Sequence, residues 1–217
     1  MNSSRPTPQP AKPNKILVVA ESGLLTDICL GQSVHSSYLW DQAKQGVLTL
    51  AIPEYAFSEV DGQLHERLSN RLHQIQEIRH FANELLREED MVDIAEQFRT
   101  ILTTVEERTA SKRGVIQAEL SAIAQACQII PLTVEALRLG KLRFIGSTPP
   151  PDENDCYILE CVLSYLAGCT NTYDLKLFLC HDQRHFDAPA VHEALIQLNA
   201  KMVFSSAACL QAIQAYL

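Results

Sequence analysis

Lys15–Leu30 reads KILVVAESGLLTDICL: a short apolar run, Ile16–Ala20, ends at Glu21-Ser22-Gly23 and passes directly into an apolar segment with helical spacing. An unbroken apolar run of this length is how a strand buried on both faces of a parallel sheet reads, and the tight turn after it feeds a helix. In open α/β sheets, ligands bind outside the carboxyl ends of such strands. Glu21 therefore stands where chemistry is expected, and the question is which later acids join it.

Working outward, Leu24–Leu30 predicts a short helix and Ser33–Lys44 a second, capped by Ser33 and ended by Gly46. Val47–Ile52 is the next strand-like run; Pro53 closes it and is suited to opening the helix that follows. In that helix Phe57, Val60, Leu64, Leu68, Leu72, Ile75, Ile78, Ala82 and Leu85 recur at intervals of three and four, the mark of one buried stripe. A break near Glu88–Asp90 precedes Met91–Thr104 and Thr109–Cys127. The middle of the chain, about 57–128, thus reads as a helical insertion of two or three helices forming an antiparallel hairpin.

Beyond it, Ile129–Pro131 predicts a short strand, Thr133–Leu139 a helical turn ended by Gly140, and Leu142–Ile145 a strand or a loop. Gly146–Pro151, GSTPPP, reads as a loop. Asp152–Ala167 predicts a buried helix, Leu175–Cys180 a strand, Pro189–Leu198 a helix and Met202–Phe204 a last strand. Ser206–Tyr216 predicts a terminal helix capped by Ser205 or Ser206. Strand–helix alternation outside the insertion gives the α/β class with a mainly parallel sheet.

The chain has 217 residues and a net charge of -8. That length buries a substantial core. The acidic balance argues against a broad nucleic-acid surface, while a small site in which bound cations reverse the local charge stays open. No apolar run reaches membrane-spanning length. Met1–Asn14, rich in Pro, Ser and Thr, reads as a disordered leader, leaving 15–217 as one domain. The seven cysteines form no CxxC pair and no zinc-type spacing, and read as reduced, packed thiols of a cytoplasmic protein.

Four acids share one position type. Glu21 follows strand one, Glu59 lies early in the long helix after strand two, Asp155 opens the helix after the proline loop, and Asp182 follows a late strand. With those connections all four meet above one end of the sheet. Hard oxygen ligands there suit Mg²⁺ or Mn²⁺, which orients and activates water and offsets charge developing in phosphodiester cleavage. Each acid has a plainer reading as well. Asp155 is also a helix-terminal acid favoured by the dipole, Asp182 a turn former, and Glu21 and Glu59 surface acids. Asp152, Glu153, Glu160, Asp174 and Asp187 are set outside the site, and His181 and His185 read as solvent-facing or loop-packing.

Four short stretches carry a resemblance: VVAESGLL at Val18–Leu25, IPEYAFSEV around Glu59, DCYILECVL from Asp155, and HDQRHF with Asp182 and Phe186. In that order, and over Lys15–Ile52 and Pro150–Leu217, the chain resembles the PIN-domain nucleases, which include the toxin ribonucleases of bacterial toxin–antitoxin pairs. The resemblance implies a three-layer α/β/α PIN-like fold, here with a large helical insertion. It implies one or two Mg²⁺ or Mn²⁺ ions held by Glu21, Glu59, Asp155 and Asp182, with Ser22 hydrogen-bonding beside them. The implied reaction is hydrolysis of RNA phosphodiester bonds, with water as nucleophile.

A toxin role would imply an antitoxin or other protein partner, and the helical middle offers a homodimer surface or a protein-binding arm. Arg67, Arg71, Lys112, Arg113 and Arg184 either contact RNA phosphates or form a solvated face. Two departures oppose activity. Glu21 stands where the family has Asp, and a shift near 1 Å costs about 10²-fold in a catalytic arrangement. Gly23 stands where the family often has a polar side chain, and His181 occupies the family's usual small-polar position before the last Asp. These departures favour the alternative, a catalytically impaired PIN-like interaction module.

Overall fold

The computed structural model describes residues 15–146 and 152–217, apart from the side chain of His185. The expected leader, 1–14, and most of the proline loop, 147–151, lie outside the described residues. At the centre is β1 (Ile16–Ala20), every residue of which is buried. It pairs in parallel with β2 (Thr49–Pro53) on one side and β4 (Leu175–Leu179) on the other, setting Val18 opposite Leu50 and Leu177. The short strands β3 (Gln128–Ile130) and β5 (Lys201–Val203) complete the order β3-β2-β1-β4-β5. Every pairing is parallel, so the expected α/β/α class with a parallel sheet is the fold found.

That order positions the site. The chain steps outward from β1 to β3, then crosses back to β4, so the strand order reverses between β1 and β4. Right-handed crossovers send the connecting helices to opposite faces of the sheet at such a point, leaving a crevice at the carboxyl ends. On one face α1 (Ser22–Leu30) packs on α2 (Val34–Lys44), which meets α9 (Ser206–Tyr216). On the other, α5 (Val134–Gly146) packs on α6 (Glu153–Gly168). The last crossover carries α7 (Gln183–Phe186) and α8 (Pro189–Gln197).

The insertion is an antiparallel pair, α3 (Glu54–Leu85) and α4 (Val92–Ala126), not three helices. The expected break before Thr109 is absent. Thr100, Thr103, Thr104 and Thr109 each return the hydroxyl proton to a carbonyl one turn back, which lets a run rich in β-branched residues stay helical. Buried Leu68, Ile75 and Ala82 on α3 recur every seventh residue, as do Ala95, Leu102, Thr109 and Ile116 on α4. A seven-residue period makes this seam a two-helix coiled coil.

Gly140 corrects a second expectation. It does not end a helix but lies inside α5, which runs on through Leu142–Ile145 to Gly146. A Cβ on Gly140 would stand 2.5 Å from Tyr157 Cδ1 and 3.1 Å from the Tyr157 nitrogen, so the glycine is required by the close approach of α5 to α6. Gly31 and Gly46, at φ +64° and +71°, are the left-handed residues after α1 and α2. No helix among the described residues is long and apolar enough to cross a membrane.

A carboxylate-lined cleft as candidate active site

All four expected acids line one cleft of about 580 Å³ at the carboxyl end of the sheet. Each arrives on a different connection. Glu21 follows β1, and Asp182 follows β4, the two strands between which the order reverses. Glu59 sits in the second turn of α3, and Asp155 in the first turn of α6. Tyr55 holds these last two helices together at their starts, donating to Asn154 Oδ1 at 2.5 Å and meeting Tyr157 edge to face at 5.8 Å. Below Asp182, buried Phe186 packs edge-on against Phe178 of β4 at 5.5 Å and fixes the turn.

The electrostatics agree with the convergence. Burial is the main cause that raises the Cys180 thiol, and the carboxylates of Glu21, Asp155 and Asp182 add to it, against a hydrogen bond to the Asp182 carbonyl that lowers it. Glu59 is raised above its ordinary 4.5, first by burial and then by the charges of Glu21 and Asp152, while the neighbouring Ser22 hydroxyl opposes the shift. Its Oε2 is buried without a hydrogen-bond partner. A folded-state pKa above the unfolded value means that the fold binds the extra proton, so stability falls as pH rises through that pKa. Glu59→Gln is therefore expected to raise Tm at neutral pH by roughly 1–3 °C, with the gain vanishing below about pH 4.5. Thermal melts of both proteins across pH check this.

Glu21 behaves differently. It is 6% exposed and folds back over its own turn. One oxygen, Oε2, accepts from the Gly23 nitrogen at 2.8 Å and Ser22 Oγ at 3.0 Å. The other, Oε1, accepts from the His181 nitrogen at 2.9 Å. The longer side chain thus caps α1 and ties it to the β4–α7 turn. Gly23 fits this arrangement, since a Cβ there would stand 2.4 Å from Glu21 Oε1 and 2.9 Å from His181 Nδ1.

The cleft also gathers residues that the sequence reading set aside or did not single out. Asp152 lines it while accepting from the Asn154 nitrogen as the cap of α6. Asp27, one helical turn beyond Gly23, lines it too; that spacing was the available signal. His181 faces the cleft instead of solvent, with Nδ1 3.8 Å from Asp27 Oδ2 and Nε2 3.3 Å from Ser206 Oγ. Ser36 joins the same network, at 2.8 Å from both Asp27 and Ser206.

Of the basic candidates, Arg67 and Arg184 line the cleft. Lys112 instead donates to the Leu30 carbonyl, and Arg71 and Arg113 do not line it. The acids left out by the sequence reading have other roles. Glu160 pairs with Arg143 at 2.6 Å, Asp187 with His192 at 2.7 Å, and Asp174 lies beside Lys15 at the far end of β1.

The donors around the cleft are carboxylate oxygens, the chemistry that Mg²⁺ and Mn²⁺ prefer, and the orphaned Glu59 oxygen is an acceptor that a cation would satisfy. Among the described residues no three His, Cys, Asp or Glu side chains form a ready-made metal cage. Mg²⁺ does not require one, because it keeps several waters and is commonly held by one or two carboxylates and the substrate phosphate.

No family model matches the chain, and no curated protein matches its sequence. Among solved structures, it is similar to VapBC2 from Rickettsia felis, whose crystal structure holds a DNA fragment from the promoter of that pair. The likeness covers 87% of this chain and 98% of the other, at 9% identity and a TM-score of 0.44. At that level it assigns neither family nor activity.

Proposed function

We propose that the protein is a metal-dependent endoribonuclease that hydrolyses RNA phosphodiester bonds in the carboxylate-lined cleft. The observation that carries the reading is the convergence of Glu21, Glu59, Asp155 and Asp182, from four separate connections, on the point where the strand order reverses. Glu59, Asp155 and Asp182 would hold Mg²⁺ or Mn²⁺, and the ion, when bound, supplies water activation and stabilises charge on the phosphoryl oxygens. Glu21 positions the turn that shapes the cleft floor, its carboxylate being engaged by Ser22, Gly23 and His181. Water is the nucleophile in this reading, since the side chains supply acceptors for its proton.

Arg67 and Arg184 stand on α3 and α7, on different walls of the cleft, and suit the flanking phosphates of a single strand. Arg67→Ala and Arg184→Ala are each expected to weaken RNA binding several-fold and to reduce the salt slope by about 0.7, with the turnover of bound RNA little changed. Binding isotherms at several salt concentrations check this. The reading itself is tested by incubating the full chain with end-labelled single-stranded RNA and Mn²⁺, with and without chelator. Chelator-sensitive internal cleavage supports it; intact RNA sinks it.

A second reading is favoured by one observation. Both oxygens of Glu21 are held by the protein's own donors, so the position that the family pattern gives to a metal-binding Asp is withdrawn here. In that reading the cleft is catalytically impaired, and the protein acts through a protein partner, of the antitoxin kind or another. Cation binding without cleavage of any RNA tested would move the account toward it.

A further inference from the structure

The α3–α4 hairpin has two unlike edges beside its buried seam. On one, Arg79 closes the groove by pairing with Glu106 at 2.5 Å. The other is apolar and open: Ile78 and Phe81 on α3, with Ile94, Phe98, Ile101 and Val105 on α4, are all exposed. Phe81 is 56% and Ile101 59% exposed, far above what a satellite of the seam would show. On a period of 3.6 these residues lie at the same angular offset from the seam on both helices, so they form one contiguous face. Near the base of the hairpin α1 covers that face, where Lys112, seven residues on from Val105, reaches the Leu30 carbonyl. Past that point the face has no cover among the described residues. A contiguous apolar patch of this kind marks an interaction surface.

We propose that this face is a homodimer interface, in which the hairpins of two copies pack antiparallel as a four-helix bundle. The spacing names a second copy as the occupant. Ile94, Phe98, Ile101 and Val105 are separated by four, three and four residues, a pattern that reads the same in both directions. A two-fold axis midway between Phe98 and Ile101 sets Phe98 against Ile101 of the second copy, and Ile94 against its Val105. Each apolar side chain thereby meets an apolar one, as an isologous interface requires.

The charges are also complementary under that axis. Asp90 and Arg108, at the two ends of the stripe, are exposed, and neither has a hydrogen-bond or ion-pair partner among the described residues. The same rotation brings Arg108 of one copy within one residue of Asp90 of the other. Gln97 and Thr104, which edge the stripe between these ends, are neutral, so no like charges are brought together there.

The test is sedimentation velocity on the full chain from about 1 to 100 µM, a range that resolves a dissociation constant near the micromolar scale. Wild type is expected to sediment as a dimer at the top of that range. Phe98→Glu is expected to weaken dimerisation by at least about 100-fold, while circular dichroism and the melting transition stay those of a folded protein. Asp90→Arg and Arg108→Asp are each expected to weaken it several-fold, and the double reversal to restore it. A wild type that stays monomeric throughout overturns the proposal, as does a dimer indifferent to Phe98→Glu in a folded variant. A dimer that Phe98→Glu dissociates, but that the double reversal fails to restore, overturns the antiparallel register and the proposal with it.

Discussion

Asp155→Asn combined with Asp182→Asn is expected to lower RNA cleavage by about 10³-fold or more while leaving the fold intact. The scale follows from chemistry that depends on concentrated charge. Losing a single preorganised stabilising contact costs about 10²–10³-fold in other enzymes, and this variant removes two anionic ligands at once. The fold is spared because Asn suits both local roles. Asp182 caps α7 by accepting from the Arg184 nitrogen at 3.0 Å, and Asn is as good a cap as Asp. Asp155 lies in the first turn of α6, where the dipole contribution of its charge is about 0.3–1 kcal/mol. Single-turnover cleavage in Mn²⁺, paired with thermal melts of the same samples, separates lost chemistry from lost structure. Unchanged cleavage in the variant would place any activity elsewhere.

The second large effect concerns stability, and it falls on Glu21. Glu21→Ala removes the acceptor for three donors, the Ser22 hydroxyl and the Gly23 and His181 nitrogens. A buried donor left unpaired costs about 1–3 kcal/mol, and water admitted by the cleft relieves part of that. The expected loss is about 3 kcal/mol, or roughly 6–12 °C in Tm for a chain of this size. Glu21→Asp should lose less, because Asp still caps α1 through the Gly23 nitrogen and gives up only the reach to His181. Denaturant melts of the three proteins read this directly. Equal stability of wild type and Glu21→Ala would show that the carboxylate does not hold the turn.

The sheet was legible because its central strands are largely apolar and end at turn residues: ILVVA before Glu21, and LKLFL, apolar but for Lys176, before the Asp182 turn. The position of the four acids at one end of the sheet was legible too, since each lies within a few residues of a strand end or helix start. What stayed hidden depends on contacts between elements distant in sequence. Gly140 reads as a helix stop until Tyr157 of α6 is set against it. The threonines of α4 read as a break until their hydroxyls are seen returning to carbonyls one turn back. Asp27 and His181 come from separate connections and meet only because β1 and β4 are neighbours. The engagement of Glu21 was hidden too, because one of its three donors, the His181 nitrogen, lies 160 residues away in sequence, in the turn after β4.

The central claim is that the cleft takes a divalent cation through Asp155 and Asp182, and titration calorimetry of Mn²⁺ into wild type and the Asp155→Asn, Asp182→Asn variant tests it most directly. The account predicts saturable binding to wild type and none to the folded variant. No saturable binding to well-folded wild type, or equal binding to both proteins, would contradict it.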